Sequence, residues 1–508
     1  MADKSLIVIG AGLAGLATGC YAQMNGYRTR IFEQHTRPGG VCTAWKRGGY
    51  TIDGCIHWLM GARPGSPCHR LYQEVGALEG NRLLPIKHLA QFLDETGGQR
   101  LDVTADVDRL AGDMKALSPR DETAIDELLE GVRAFRALDG RAPWATVATE
   151  MAGPLARVTQ AWHTRRWLKY LLRYNKPASA FAARLHNPFL RWALSNIFAP
   201  ETPMLSVFTL LAHLAEGNLA TVEGGSLAFA LAIARRFRDL GGQVVYGAPV
   251  KEILVERGRW GDRAVGVRLA DAPGSRNGDA YYADAVVSAA DGYSTIFEML
   301  GGRYANRSIQ RRYKTWPLFR PLVVTSYGVA HPLPGQPSLR TIRLARPLTV
   351  GGKEIGTLTC HVSGSPALAP TGKSVVQGTF ETDFDYWNNL QAQDRARYDA
   401  EKDRVAAQVL DRLETSLPGL SAHVEMVDVA TPYTFWRYTG NRRGSYEGWL
   451  LTPQHMRKAV PKTLPGLKGF YMAGQWVEPG GGVPSALSSG RQVVQILCHH
   501  DGTPFSAS

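Results

Sequence analysis

The stretch Leu6-Ile7-Val8-Ile9-Gly10-Ala11-Gly12-Leu13-Ala14-Gly15 decides the reading of this chain. The unbroken apolar run from Leu6 to Ile9 fits a strand buried on both faces. Three glycines follow at once, and then the period changes. Leu13, Leu16, Ala17, Cys20 and Met24 recur at three- and four-residue steps until Asn25-Gly26 stops the helix. Thr29 to Phe32 reads as the next strand, and Glu33 closes it. In this context Gly10 makes the tight turn, Gly12 lets backbone approach a diphosphate, and Gly15 permits close packing of helix on strand. The helix N-terminus faces the negative charge. The Glu33 carboxylate accepts hydrogen bonds from ribose hydroxyls and disfavours a 2′-phosphate. The predicted unit is a βαβ dinucleotide site.

Working outward, 508 residues exceed what one core usually supports, so two or more interleaved domains are expected. A hydrophobic share of 44% and a charged share of 20% exclude a disordered chain, a collagen-like repeat and a disulfide-dense scaffold. The net charge of +13 favours an anionic surface such as lipid headgroups or nucleic acid. Six cysteines without a CxxC pair or metal-ligand spacing, and a start lacking signal-peptide features, fit a reducing, cytoplasmic setting with free thiols and no metal. No window reaches the roughly 18 apolar residues of a spanning helix. Any membrane contact is therefore expected to be peripheral.

Further along, Ala105 to Arg136 is helical and acid-rich, whereas Met151 to Pro200 holds no Asp or Glu and eight cations interleaved with aromatic residues such as Trp162, Tyr174 and Trp192. Such a basic, aromatic segment suits insertion at anionic headgroups. It lies on apolar helical segments rather than on a nucleic-acid module, which argues against nucleic acid. Val222-Glu-Gly-Gly-Ser226 leads into a second helix ending near Gly241-Gly242, and short strands follow at Val244 to Tyr246, Val250 to Glu256, Ala264 to Leu269 and Ala285 to Ser288. Met299 to Lys353 is a second acid-free region and carries Arg303, Arg307, Arg311, Arg312, Lys314 and Arg320. A last strand, Gly469 to Ala473, runs through a glycine turn into a helix from about Pro484, with His499-His500 expected in a frayed tail.

Four blocks together resemble the carotenoid desaturase, carotenoid isomerase and retinol saturase family of FAD-dependent oxidoreductases. They are Ile7 to Gly15 with Glu33 and Pro38-Gly39-Gly40; Asp53-Gly-Cys-Ile-His57-Trp58; Glu223-Gly-Gly225 with Ala283 to Asp291; and Met472 to Gly474 through Glu478-Pro-Gly-Gly-Gly482-Val-Pro484 to Arg491. The Asp-Gly-x-x-His-Trp arrangement of Asp53 to Trp58 is closer to the isomerase and saturase branches. Val41 departs from the Arg or Lys that often follows the glycine pair. The resemblance implies an α/β fold in which a discontinuous Rossmann-like FAD domain (1–95, 222–298, 456–508) is interleaved with a helical substrate and membrane region (96–221) and a mixed sheet-plus-helix substrate domain (299–455). It implies FAD held by Gly10, Gly12, Leu13, Ala14, Gly15, Glu33, Gln34, Gly39, Gly40, Val41, His57, Val250, Ala290, Asp291, Gly474, Gln475, Gly481, Gly482, Val483 and Pro484. His57, Tyr433, Trp476 and Glu478 are the candidate catalytic residues on the substrate side.

The implied reaction is hydride or electron exchange at flavin N5 with a long apolar carotenoid, retinoid, isoprenoid or fatty substrate, giving desaturation, saturation or isomerisation of C=C bonds. A quinone, oxygen or another donor remains open as electron partner. An amine-oxidase-like enzyme on a small soluble substrate and a prenyl-lipid escort protein are the alternatives on the same fold. The escort reading sits poorly with an intact Gly10, Gly12, Gly15 and Glu33.

Overall fold

The opening stretch folds as β1 (Ser5–Ile9), α1 (Leu13–Met24) and β2 (Arg28–Phe32). The computed structural model describes residues 4–136, 168–259, 261–270, 278–456, 458 and 460–507. β1 is the middle of a five-stranded, all-parallel sheet, pairing on one side with β2 and on the other with the strand Ala285–Ser288. Gln243–Val245 and Phe470–Met472 are the outer strands, so three distant parts of the chain build one sheet. α1, the helix Gly225–Asp239 and the C-terminal helix Val483–His500 cover one face of it. An antiparallel sheet that includes Val250–Glu256 and Asp262–Leu269 packs on the other face. The two-sided cover explains the unbroken apolar run at Leu6 to Ile9, all four of which are buried.

The second unit is a seven-stranded sheet in the order Val424–Ala430, Leu322–Val329, Ser374–Glu381, Lys353–Ser363, Leu339–Val350, His88–Asp94 and Arg100–Thr104. Its strands alternate with period two. Val323, Ile342, Leu358, Cys360 and Val376 face a core capped by the long helix Arg395–Ser416. Thr341, Thr359, His361, Gln377 and Thr379 face the opposite way, onto a cavity. The domain boundary expected near 95 divides the antiparallel hairpin His88–Asp94 and Arg100–Thr104, and both strands belong to this sheet. The hydrophobic residues of that hairpin pack on the helices between 107 and 215.

Two expectations are corrected. His499 and His500 end the C-terminal helix rather than a frayed tail, because Tyr471 Oη pairs with His500 Nδ1 at 2.9 Å and Ser506 N donates to Asn25 Oδ1 at 2.7 Å. The basic, aromatic segment is described only from residue 168, so Arg157, Trp162, Arg165, Arg166 and Trp167 lie outside the described residues. Within the described part the rings turn inward: Tyr174, Phe181 and Phe189 are core, and Arg173 and Arg184 both pair with Glu127, at 2.9 and 2.6 Å. The apolar surface left outward there is aliphatic, Leu168 and Leu172 being 48% and 68% exposed. Among the described residues no helix is long and apolar enough to cross a membrane.

Gly15 shows why the first helix can lie so close to its strand. A Cβ there would stand 1.9 Å from the Gly10 carbonyl oxygen. Gly15→Ala should therefore lower stability by about 1–3 kcal/mol through forced backbone displacement. Gly112→Ala, in a helix with open space around the site, should instead raise it by roughly 0.5–1 kcal/mol. Urea midpoints of the two variants check both signs.

Candidate active site

One cavity of about 2550 Å³ runs from the glycine turn after β1 to the polar face of the seven-stranded sheet and on to an arm lined by Phe135, Leu171, Ile197, Phe198, Leu205 and Ala212. At its first end Gly10 has φ +94°, and no side chain caps α1. A Cβ on Gly12 would meet nothing within 4 Å, so this turn faces open space. Gly39 N donates to Ala11 O at 2.9 Å, which lays the Gly39-Gly40 turn along the same helix end. Glu33 is buried, and its carboxylate accepts from Ala11 N at 2.6 Å and His35 N at 2.8 Å. Burial raises its pKa, and the two amides oppose that rise. The opposite wall is the Gly480 to Gly482 turn, all three at positive φ, leading into the C-terminal helix with Pro in its first turn and no side-chain cap. Two uncapped helix N-termini thus open onto one space, each with free amides and a positive dipole end.

Titratable groups gather between these ends. Asp291 is almost fully buried, accepts from Ser294 N and Arg442 N, both at 2.8 Å, and is pushed by burial up to about 6. Glu447 is raised to about 7 by burial alone. No hydrogen bond or ion pair to its carboxylate is found among the described residues, and its backbone lies against Gly481, where a Cβ would come 2.8 Å from Glu447 Cβ. The rings of His57 and His361 stack with centroids 3.6 Å apart. Both are held below the usual histidine pKa, first by burial and for His361 also by His57, so the pair presents neutral imidazole to the cavity.

Comparison with known proteins fixes the context. Residues 13–498 match the model of the family described as flavin containing amine oxidoreductase. The chain belongs to this family. Among curated relatives it is 24% identical to a prolycopene isomerase of Arabidopsis thaliana, over 97% of this chain and 82% of that protein. It is 26% identical to a lycopene-forming phytoene desaturase of a Paracoccus strain, over 98% and 97%. Among solved structures, an oxidoreductase from Methanosarcina mazei superposes with a TM-score of 0.60 at 17% identity, covering 97% of this chain and all of that one, which shows a shared fold.

The cofactor of this flavoprotein is FAD, and the residues present fit it. The open space at Gly12, the uncapped N-terminus of α1 and the buried Glu33 suit a diphosphate with its ribose. The glycine turn at Gly480 to Gly482 suits the electron-poor ring system, whose reduced form is anionic.

Of the residues expected to hold the cofactor, Gly10, Gly12, Leu13, Ala14, Glu33, Gln34, Gly39, Gly40, Val41, His57, Val250, Ala290, Asp291, Gly474, Gln475, Gly481, Gly482, Val483 and Pro484 all line this one cavity. Gly15 does not; it serves the packing of α1 on the turn. Among the candidate catalytic residues, His57, Trp476 and Glu478 reach the cavity. Glu478 is tied to the buried Lys462 at 2.7 Å, which makes it an ion-pair partner rather than a free acid. Trp476 is packed between Tyr313 and Trp449, with its indole Nε1 unsatisfied. Tyr433 is outside the cavity wall, on the helix Pro432–Thr439 against Tyr398 and Trp436. Asp53 accepts from Ser226 N at 2.8 Å and Cys55 N at 3.2 Å, which makes it a turn and helix-start residue.

Glu447 and His361 escaped the sequence reading. His361 was legible in principle, because Thr357, Thr359 and His361 alternate on one face of a strand. Glu447 carries no such signal; only its enclosure sets it apart.

Two outcomes follow from this geometry. Gly12→Ala, with φ −67° and open space around it, should leave the stability of the apoprotein within about 0.5 kcal/mol of wild type while flavin retention on gel filtration falls steeply, because the methyl group stands where the diphosphate approaches. Glu447 has a folded pKa of about 7 against an ordinary 4.5, so the folded apoprotein holds an extra proton between those values. Its stability should rise as pH falls from about 8 to 5, by up to about 3 kcal/mol, and Glu447→Gln should flatten that slope. Urea unfolding across this pH range reads it directly.

Proposed function

We propose that this flavoprotein acts on a long isoprenoid or polyene hydrocarbon, exchanging electrons at a C=C bond or its adjacent CH–CH unit. The observation that carries the reading is the size and continuity of the cavity. At about 2550 Å³ it exceeds the roughly 300–1,000 Å³ of ordinary small-ligand sites, leaving an apolar arm beyond the dinucleotide end. The named activities of the curated relatives, prolycopene isomerisation and phytoene desaturation, point to the same substrate class.

Bound FAD supplies two-electron exchange at its N5 position. The chain's own residues orient the substrate and handle the proton. Phe135, Leu171, Phe198 and Leu205 hold an apolar chain and exclude water. Stacked His57 and His361, with Gln377 and Thr359, give the arm a neutral polar roof near the glycine turns. Glu447, enclosed and unpaired, takes or returns the proton at the reacting carbon; a carboxyl poised near 7 is matched to that task at neutral pH. Entry is from a lipid surface. Leu171 lines the arm while Leu168 and Leu172, on the same helical stretch, are exposed, so the mouth of the arm lies beside aliphatic surface.

The test is anaerobic incubation of the purified holoprotein, with oxidised and with reduced flavin, with liposome-borne phytoene and cis-lycopene, followed by chromatography of the carotenoids. Conversion of either substrate is expected, with activity changing through an apparent pKa of about 7. In Glu447→Gln that inflection should vanish and turnover should drop by about 10²–10⁴-fold. Peroxide release with small amines and no change in any polyene would replace this reading with an amine oxidase.

A further inference from the structure

We propose that Cys42 and Cys55 form a dithiol/disulfide redox centre that exchanges electrons directly with the flavin. Their Sγ atoms stand 3.3 Å apart. The juxtaposition has a topological cause. The strands Ala44–Arg47 and Tyr50–Asp53 form an antiparallel hairpin in which Ala44 pairs with Asp53, and Gly54 N donates to Thr43 O at 2.9 Å. Continuing that register by one position sets Cys42 directly opposite Cys55 at the open end of the hairpin, where facing side chains come within disulfide reach.

That open end is part of the cavity wall, and of the six cysteines only these two line it. Cys42 N donates to Gly39 O at 3.0 Å, and Gly39 is bonded to Ala11 in the diphosphate turn. On the other side Glu447, which packs on Gly481 of the second glycine turn, is near enough to raise the Cys55 thiol pKa. The pair therefore lies between the two turns that bracket the flavin. Cys42, burial and nearby Glu447 all keep the Cys55 proton on its sulfur, so oxidation needs a proton acceptor, and the unpaired Glu447 carboxylate is at hand.

The step balances as follows. Two S–H bonds break and one S–S bond forms; the thiols give two electrons and one proton to oxidised flavin, and the second proton goes to the Glu447 carboxylate. In reverse, the disulfide accepts the same two electrons from reduced flavin. An external dithiol entering the cavity at Cys55 can reload the pair by exchange. Such a centre gives the enzyme an electron donor of its own, which rests on the flavin reading above but not on the identity of the lipid.

The experiment uses the holoprotein, treated with the thiol oxidant diamide, desalted and titrated anaerobically with dithionite while the flavin absorption is followed. Wild type is expected to take up about four electrons per bound flavin, and Cys42→Ser and Cys55→Ser about two, since the dithiol is a two-electron couple. In a second arm, anaerobic dithiothreitol should bleach the flavin at least about tenfold faster in wild type than in either variant, as exchange through the disulfide demands. Uptake of two electrons by oxidised wild type, or equal bleaching rates, would overturn the proposal. The wild-type stoichiometry decides even if a variant fails to fold. A protein purified without flavin colour would count against the flavin reading instead, and is visible before any reductant is added.

Discussion

The structure depends on how closely backbone approaches backbone around the first turn of α1. Gly15 sits on the Gly10 carbonyl, and Gly490 of the C-terminal helix lies where a Cβ would be 2.8 Å from both Ala14 O and Thr18 N. Gly39 is bonded to Ala11, and Gly474 approaches the Ala14 methyl group. Segments from opposite ends of the chain thus meet at the start of this helix, and at Gly15, Gly39 and Gly490 a Cβ would collide with backbone. The same turn carries the uncapped amides that suit a diphosphate, so the packing constraint and the fit to the cofactor meet in one feature. Dispersion at such distances is lost sharply by small displacements. Any change that moves α1 from its strand also moves those amides.

The second organising feature is electrostatic. Asp291, Glu447, His57 and His361 are each shifted toward the neutral form by burial. Other charges on the cavity wall sit in pairs, among them Lys462 with Glu478 and Arg320 with Glu381. Burial thus lowers the charge that the cavity presents, as an apolar ligand that offers no ion to recognise would favour. It also strengthens any charge that develops transiently. Glu447, whose carboxyl burial raises to about 7, therefore has a greater influence on nearby chemistry than the salt-bridged Glu478 that precedes the glycine turn.

How much of this was legible in the sequence follows from the range of the interactions. The βαβ unit, the helix ending at Asn25, the strands Val250–Glu256 and Ala285–Ser288 and the start of the last helix were readable because each is written in local period and turn residues. The cofactor half of the cavity was readable for the same reason, since glycines with positive φ at Gly10, Gly39, Gly474 and Gly480 to Gly482 mark the backbone positions that touch it. The substrate half was not. Tyr433 and Trp476 look alike as aromatic residues in polar surroundings, yet one packs against Tyr398 and the other faces the cavity. Tyr433 stands on the helix Pro432–Thr439 and Trp476 in the turn after the strand Phe470–Met472, and only their tertiary packing separates them. Likewise the hairpin His88–Asp94 and Arg100–Thr104 joins a sheet whose other strands start beyond residue 321, a pairing that no local signal announces.

Interleaving has a chemical consequence of its own. The segment Asp53 to Trp58 touches both units, held by Gln377 Nε2 of the seven-stranded sheet donating to Asp53 O at 3.1 Å and by Ile56 N donating at 2.6 Å to Ser226 Oγ, in the helix Gly225–Asp239. Cys55 and His57 are thereby fixed to both domains at once, with Cys55 on the cofactor side and His57 stacked under His361 on the sheet side. Glu447 arrives from the opposite direction, between the sheet and the final glycine turn. A hinge between the two domains would pull these groups apart, so the reactive cluster can persist only if the domains move as one. The hydrogen bonds through Asp53 and Ser226, both buried, impose that rigidity beside Cys55 and His57.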